Sequence, residues 1–74
     1  YSMKKIKKIK IKINGKITKI NENLSLFTLL KQLKIPLTKV AIELNYEIVD
    51  KNKINKIKLS NNDEIEIVHF IGGG

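Results

Sequence analysis

A strictly alternating run of isoleucine and lysine, closed by an Asn-Gly pair, is the feature that most limits how this chain can fold. From Lys8 to Ile13 every second residue is isoleucine and the others are lysine, the pattern of a strand with one buried and one wet face. Asn14-Gly15 follows directly, and this pair between two alternating runs is the strongest local signal for a type I′ turn. The sequence therefore predicts a β-hairpin with a return strand over Lys16–Ile20. The apolar face of this hairpin must pack against another element to be buried.

A stripe of leucines after the hairpin predicts the helix that covers it. The spacing i, i+3, i+4, i+7 of an apolar helix face is met by Leu26, Leu29, Leu30 and Leu33. Ser25 stands where an N-cap belongs. Ile35-Pro36 predicts the end of the helix, because a residue before proline avoids the helical region. We expect Lys31 and Lys34 to lie in the last turn, where positive charge complements the helix dipole.

The rest of the chain completes a single sheet. The remaining predicted elements are a strand over 40–44, a turn at 45–46, a short strand over 47–49, a polar connector over 50–58 that turns Ile54 or Ile57 inward, and a last strand over 64–70. A mixed sheet of four to five strands packed on one helix is the economical α+β arrangement. The first and last strands would then be adjacent, parallel and central. That is the β-grasp topology of ubiquitin-like proteins.

Size and composition exclude several classes of protein. The chain has 74 residues, no cysteine and one histidine, so disulfides, thiolate nucleophiles, cysteine-bound zinc and a histidine metal cage are excluded. A core this small leaves little volume for an internal catalytic cleft. No run approaches the roughly 20 apolar residues of a membrane span, and no signal peptide is recognised. We expect one cytoplasmic domain over 1–74, with Tyr1-Ser2 as additions ahead of a native Met3 and 71–74 as a mobile tail.

The net charge of +8, from 15 lysines and seven acids, has two interpretations. One is a surface for nucleic acid or an acidic partner. The other is compositional, since isoleucine, lysine and asparagine, half of the chain, can all be encoded by A/T-only codons. The absence of arginine, whose fork suits phosphates and bases, and the scarcity of aromatic side chains for stacking favour the second. We expect neither nucleic acid nor membrane as a partner.

Three consecutive glycines, Gly72, Gly73 and Gly74, follow the last predicted strand. A phosphate-binding loop is excluded, because no helix with lysine, serine or threonine follows them. A frayed end is one remaining interpretation. The other is a substrate tail: residues without Cβ can thread a narrow enzyme channel and present the α-carboxylate of Gly74 as the reacting group.

Three stretches resemble one known family. They are 11–16 (IKINGK), 40–49 (VAIELNYEIV) and, most specifically, 63–74 (DEIEIVHFIGGG). Together they make the chain from Lys8 to Gly74 similar to the ThiS-type sulfur carriers of thiamine biosynthesis. Tyr46 departs from the family, which often has glycine after the asparagine at a position that can require positive φ. The polar connector is also poorly matched.

The resemblance implies a carrier and cosubstrate, not an enzyme. An E1-like adenylyltransferase would use ATP and magnesium to convert the Gly74 carboxylate to an acyl adenylate. Sulfur, drawn from cysteine through a desulfurase, would displace AMP and leave a thiocarboxylate for thiazole synthase. No cofactor is expected on the chain itself.

Alternation along the last strand predicts a docking patch on the sheet face away from the helix. The expected partner-binding residues are Lys10, Lys12, Glu66, Val68, Phe70 and Ile71. Val68 and Phe70 are apolar on a face that would otherwise be wet, beside the tail, which is typical of an interface anchor. The alternatives are that Phe70 tucks over the sheet edge or into a homodimer. His69 is expected to be peripheral.

Other functions remain open at this point. A molybdopterin-synthase small subunit, or another ubiquitin-like thiocarboxylate donor, would share the fold and the chemistry. A protein-conjugating modifier would instead join Gly74 to lysines. A basic nucleic-acid module would bind with a steep dependence on salt.

Overall fold

The computed structural model describes residues 7–70, which form one mixed sheet with a helix packed on it. The strands are β1 Lys8–Ile13, β2 Lys16–Asn21, β3 Val40–Leu44, β4 Glu47–Ile48 and β5 Glu64–His69; helix α1 is Leu26–Gln32, and two 3₁₀ helices are Leu37–Lys39 and Lys51–Lys56. The strand order is β2-β1-β5-β3-β4. β1 and β5 are parallel and the other neighbours antiparallel. The predicted β-grasp topology is confirmed, while the expectations for Tyr1-Ser2, Met3 and the tail 71–74 lie outside the described residues.

The first hairpin forms as its local signals predict. Asn14 and Gly15 have φ of 48° and 80°, both positive as a type I′ turn requires. Ile9 pairs with Ile20, which places Ile20 on the core side because directly opposed residues share a face. Ile17 falls on the other side and is 66% exposed.

Helix α1 begins where the sequence predicts. The Ser25 Oγ accepts a hydrogen bond from the backbone N–H of Thr28 at 3.1 Å. Such a cap satisfies an N–H that has no partner within the helix. Leu26, Leu29 and Leu30 are buried against the sheet.

The end of α1 differs from the prediction. The helix ends at Gln32, and Lys34 has a left-handed φ of 58°. The N–H groups of Lys34 and Ile35 donate to the carbonyls of Lys31 and Leu30, both at 3.0 Å, which is a Schellman motif. Because the chain turns here, before the proline, Lys34 lies outside the helix. Leu33 becomes its cap and stays 43% exposed, so the expectation that it completes the core stripe is wrong.

The polar connector contains the second 3₁₀ helix, Lys51–Lys56, which packs on α1. Ile54 is buried there and Ile57 is partly buried, as the prediction allowed. The buried residues between the sheet and the helix form one hydrophobic core: Ile11, Ile20, Leu26, Leu29, Leu30, Val40, Ile42, Ile54, Leu59, Ile65 and Ile67. No helix within 7–70 has the length and apolar character needed to cross a membrane.

Candidate functional site

The sheet face opposite α1, here called the open face, brings the predicted docking residues of β1 and β5 together. Lys12 pairs with Glu64 across the parallel β1–β5 ladder. Lys10 and Glu66 lie two residues from these partners in their own strands and therefore share their face. Lys10, Lys12 and Glu66 are all exposed.

Val68 and Phe70 are exposed apolar residues at the carboxyl end of β5, and Ile17 and Ile48 are exposed apolar residues elsewhere on the open face. Val68 is 55% exposed and Phe70, just past the end of β5, is 53% exposed. The Phe70 N–H donates to the carbonyl of Lys39 at 2.8 Å, which holds its backbone beside β3. The Lys51 ammonium lies 5.4 Å from the Phe70 ring centroid, within cation–π range. Half of each side chain is thus available for contact; that a partner uses it stays a prediction.

The charges on the open face are sorted by strand. Lysines occupy β1 and β2, whereas Glu43, Glu64 and Glu66 lie on β3 and β5. A shallow depression of about 190 Å³ between the lysine and glutamate sides is lined by Lys10, Ile11, Lys12, Ile17, Asn62 and Glu64. Small-molecule pockets typically measure about 300–1,000 Å³. The face therefore suits contact with a protein surface better than enclosure of a small ligand.

The β3–β4 turn adds a polar network at the start of β5. Tyr46 has a φ of 71°, so the positive φ expected at this position is present despite the tyrosine. Its hydroxyl donates to Glu64 Oε1 at 3.0 Å. This hydrogen bond to a carboxylate, followed by the carboxylate's charge, raises the pKa of Tyr46 above 10.0.

The Asn14 side chain makes a contact with β5 that the sequence does not predict. Its Oδ1 accepts from the backbone N–H of Ile67 at 2.7 Å, and its Nδ2 donates to the Ile67 carbonyl at 3.3 Å. The Asn-Gly motif is fully accounted for by the turn it makes. No local pattern reports a partner 53 residues away.

His69 lies at the edge of the candidate site. It is exposed at the end of β5, opposite Val40.

Within 7–70, no group of three or more histidine, cysteine, aspartate or glutamate residues could hold a metal ion. The predicted partner contact Ile71 and the tail residues Gly72, Gly73 and Gly74 lie outside the described residues. They follow directly on Phe70 in the sequence.

Comparison with known proteins points to one family. The ThiS family model matches residues 6–74. The sulfur carrier protein ThiS of Bacillus subtilis is 35% identical over 65 residues, which are 86% of this chain and 98% of that protein. A thiazole synthase of Paramagnetospirillum magneticum is 38% identical over 66 residues, 89% of this chain. The chain spans only about a fifth of the length of the thiazole synthases that it matches.

A solved structure agrees with the sequence comparison. The crystal structure of the thiamine biosynthesis protein ThiS from Geobacter metallireducens superposes with a TM-score of 0.79 at 29% identity, covering 89% of this chain and all of that one. The family match thus extends from sequence to fold and covers 89% of this chain. This chain belongs to the ThiS family.

Proposed function

We propose that this protein is a sulfur carrier of thiamine biosynthesis and that the α-carboxylate of Gly74 carries the sulfur. The observation that supports this most directly is the match to the Bacillus sulfur carrier over 98% of that protein's length. The stretch that leads into the glycines, Glu64–His69, is also the central strand of the sheet. A reactive end attached to a central strand has a rigid base.

The proposed chemistry starts from the fact that a carboxylate lacks a good leaving group. It is a poor electrophile because its leaving group would be oxide. The Gly74 carboxylate attacks the α-phosphorus of ATP, pyrophosphate leaves, and an acyl adenylate forms. A sulfur nucleophile equivalent to hydrosulfide then attacks the acyl carbon, AMP leaves, and a thiocarboxylate remains. An E1-like adenylyltransferase supplies the catalytic groups together with ATP and magnesium. A cysteine desulfurase is the source of sulfur as a persulfide, and a thiol reductant, oxidised to a disulfide, releases it as the hydrosulfide equivalent.

A thiazole synthase is the proposed acceptor of that sulfur. Two thiazole synthases contain a segment of this chain's length and about 38% identity to it. A carrier segment within a synthase supports a functional pairing of the two. Transfer from the Gly74 thiocarboxylate into the thiazole ring would return the carrier to its carboxylate.

The open face is the proposed docking surface for these partners. Val68 and Phe70 offer apolar area that a partner can desolvate, and an aromatic anchor at an interface typically carries a large share of the binding energy. Lys10, Lys12 and Glu66 surround them with charge that can steer and orient the partner.

Formation of the acyl adenylate tests the proposal. The protein ending at Gly74 is incubated with the ThiS adenylyltransferase and MgATP, and intact mass is measured before and after a sulfur source is added. We expect an adenylyl adduct, then the mass change of oxygen replaced by sulfur. Deleting Gly74, or adding one residue after it, should abolish both. An unchanged adduct in either variant would refute Gly74 as the carrying group.

Complementation separates the pathways. We expect the gene to rescue a strain that requires thiazole and not a strain deficient in molybdenum cofactor. Rescue of only the second strain would assign the protein to molybdopterin synthesis.

The docking surface is tested by a matched pair of variants. Phe70→Ala should raise the KM of the carrier in adenylation by about tenfold or more, the size of a hot-spot loss. Ile17→Ala removes an apolar side chain from β2 that is 66% exposed, against 53% for Phe70. It should leave KM within about twofold, as expected outside a hot spot. Equal effects of the two variants would argue against docking at the end of β5.

A further inference from the structure

Both hairpin turns place an asparagine amide against the central strand β5. Asn14 and Asn45 have similar left-handed φ of 48° and 52°, each at the first position of its turn. The Asn14 Oδ1 accepts from the N–H of Ile67 at 2.7 Å, and the Asn45 Oδ1 accepts from the N–H of Glu64 at 2.9 Å. The two turns thus make the same kind of bond to β5, one at its first residue, Glu64, and one at Ile67, two residues before its last.

The Asn14 side-chain amide lies beside the part of β5 that no longer pairs with β1. The β1–β5 ladder ends at the pair Ile13 and Ile65, whereas β3 pairs with β5 as far as His69. Beyond Ile65, β5 therefore has a strand on one side only. On the other side, in the part of the chain that the structure describes, the Asn14 side chain both accepts from and donates to Ile67. It supplies the donor and acceptor that another residue of β1 would have offered.

We propose that Asn14 is a positioning residue for the carrier reaction, fixing the end of β5 from which the glycine tail extends. This inference rests on the proposed function. A strand end held on one side opens more readily than one held on both. A partner that binds the tail would have to order a loose strand end, and ordering at an interface costs free energy. Asn14 lowers that cost before docking, so it acts on KM and not on kcat.

Asn14→Gly tests this role, with Asn45→Gly as the matched control. Glycine accepts positive φ, so both variants keep their turn. N14G loses the two side-chain hydrogen bonds to Ile67, and N45G loses the two to Glu64 and Asp63. In N14G we expect hydrogen exchange of the Ile67 amide to rise at least about fivefold, the effect of losing one ordinary hydrogen bond. The KM of the carrier in adenylation should rise by a similar factor of about five, with kcat unchanged. N45G should accelerate exchange at Glu64 and leave KM unchanged.

Three results would overturn the positioning role. One is faster exchange at Ile67 in N14G with the KM of the wild type. Another is an equal rise of KM in N14G and N45G, which would indicate general loosening of the fold. A third is loss of kcat in N14G without a change in KM. A wild-type protein that forms no adduct at all would instead refute the proposed function, and the role of Asn14 with it.

A second variant tests the proposal if N14G does not fold. Asn14→Asp tolerates positive φ and keeps the acceptor of the 2.7 Å bond while losing the donor of the 3.3 Å bond. The second carboxylate oxygen faces the Ile67 carbonyl with no proton to donate, so we expect a rise in KM in the same direction. A KM equal to that of the wild type would overturn the proposal.

Discussion

The residues with a left-handed backbone show a structural role for the high asparagine content of this chain. Positive φ occurs at six described residues other than glycine: Asn14, Asn23, Lys34, Asn45, Tyr46 and Asn62. Four of the six are asparagine, the residue type that tolerates this region best after glycine. The abundance of asparagine, which the sequence alone attributes to codon usage, thus supplies turns at little conformational cost. Lys34 and Tyr46 lack that tolerance.

Lys34→Gly should stabilise the protein. The left-handed conformation costs a residue with a side chain about 1–2 kcal/mol, and the greater freedom of glycine in the unfolded chain takes back about 0.4–1 kcal/mol. We expect the free energy of unfolding to rise by about 0.5–1 kcal/mol, measured by denaturant titration. Lys31→Gly, inside the last turn, removes the same side chain and should lower it by about 1 kcal/mol. A loss of stability in both variants would show that Lys34 is not strained.

At the scale of elements, the first hairpin carries an unfavourable charge pair. Lys10 and Lys19 are directly opposed across β1 and β2. Cβ atoms of such pairs lie about 4.5–5.5 Å apart, and like charges there destabilise the sheet. Apolar packing of Ile9, Ile11 and Ile20 against the core holds the hairpin together in spite of this repulsion.

Lys19→Glu should turn that repulsion into attraction. Lys16→Glu is the control, since it makes the same change of residue and of net charge opposite an apolar partner, Ile13. We expect Lys19→Glu to exceed the control by about 0.5–1 kcal/mol in free energy of unfolding at low salt. The difference should shrink in 1 M salt, where the Debye length falls to about 3 Å. A difference that salt leaves unchanged would show that the two lysines do not interact through charge.

Elements whose signals are local could be predicted, and elements that depend on distant contacts could not. The hairpin and the start of α1 follow from Asn14-Gly15 and Ser25, which act on their immediate neighbours. The end of α1 was missed because a Schellman turn is usually marked by glycine, and here Lys34 makes it. The contact of Asn14 with β5 was missed because its partner is far away in the chain.

For the molecule as a whole, β5 is the strand that joins two otherwise separate hairpins. β1 pairs with β2, β3 pairs with β4, and only β5, among the described strands, pairs with both groups. Ile65 and Ile67 also bring its side chains into the core beneath α1. Neither hairpin alone has the three or more strands that independent stability usually needs. The predicted patch of β5 and the integrity of the fold therefore depend on the same strand.

This topology has a consequence for protein synthesis. While a ribosome is still translating the codons before residue 64, the nascent polypeptide lacks the strand that pairs with both hairpins. The sheet can close only after residues 64–69 have left the exit tunnel. A prematurely terminated product would then fail to fold and would be open to proteases. Every folded copy would carry the strand on which its proposed chemistry depends.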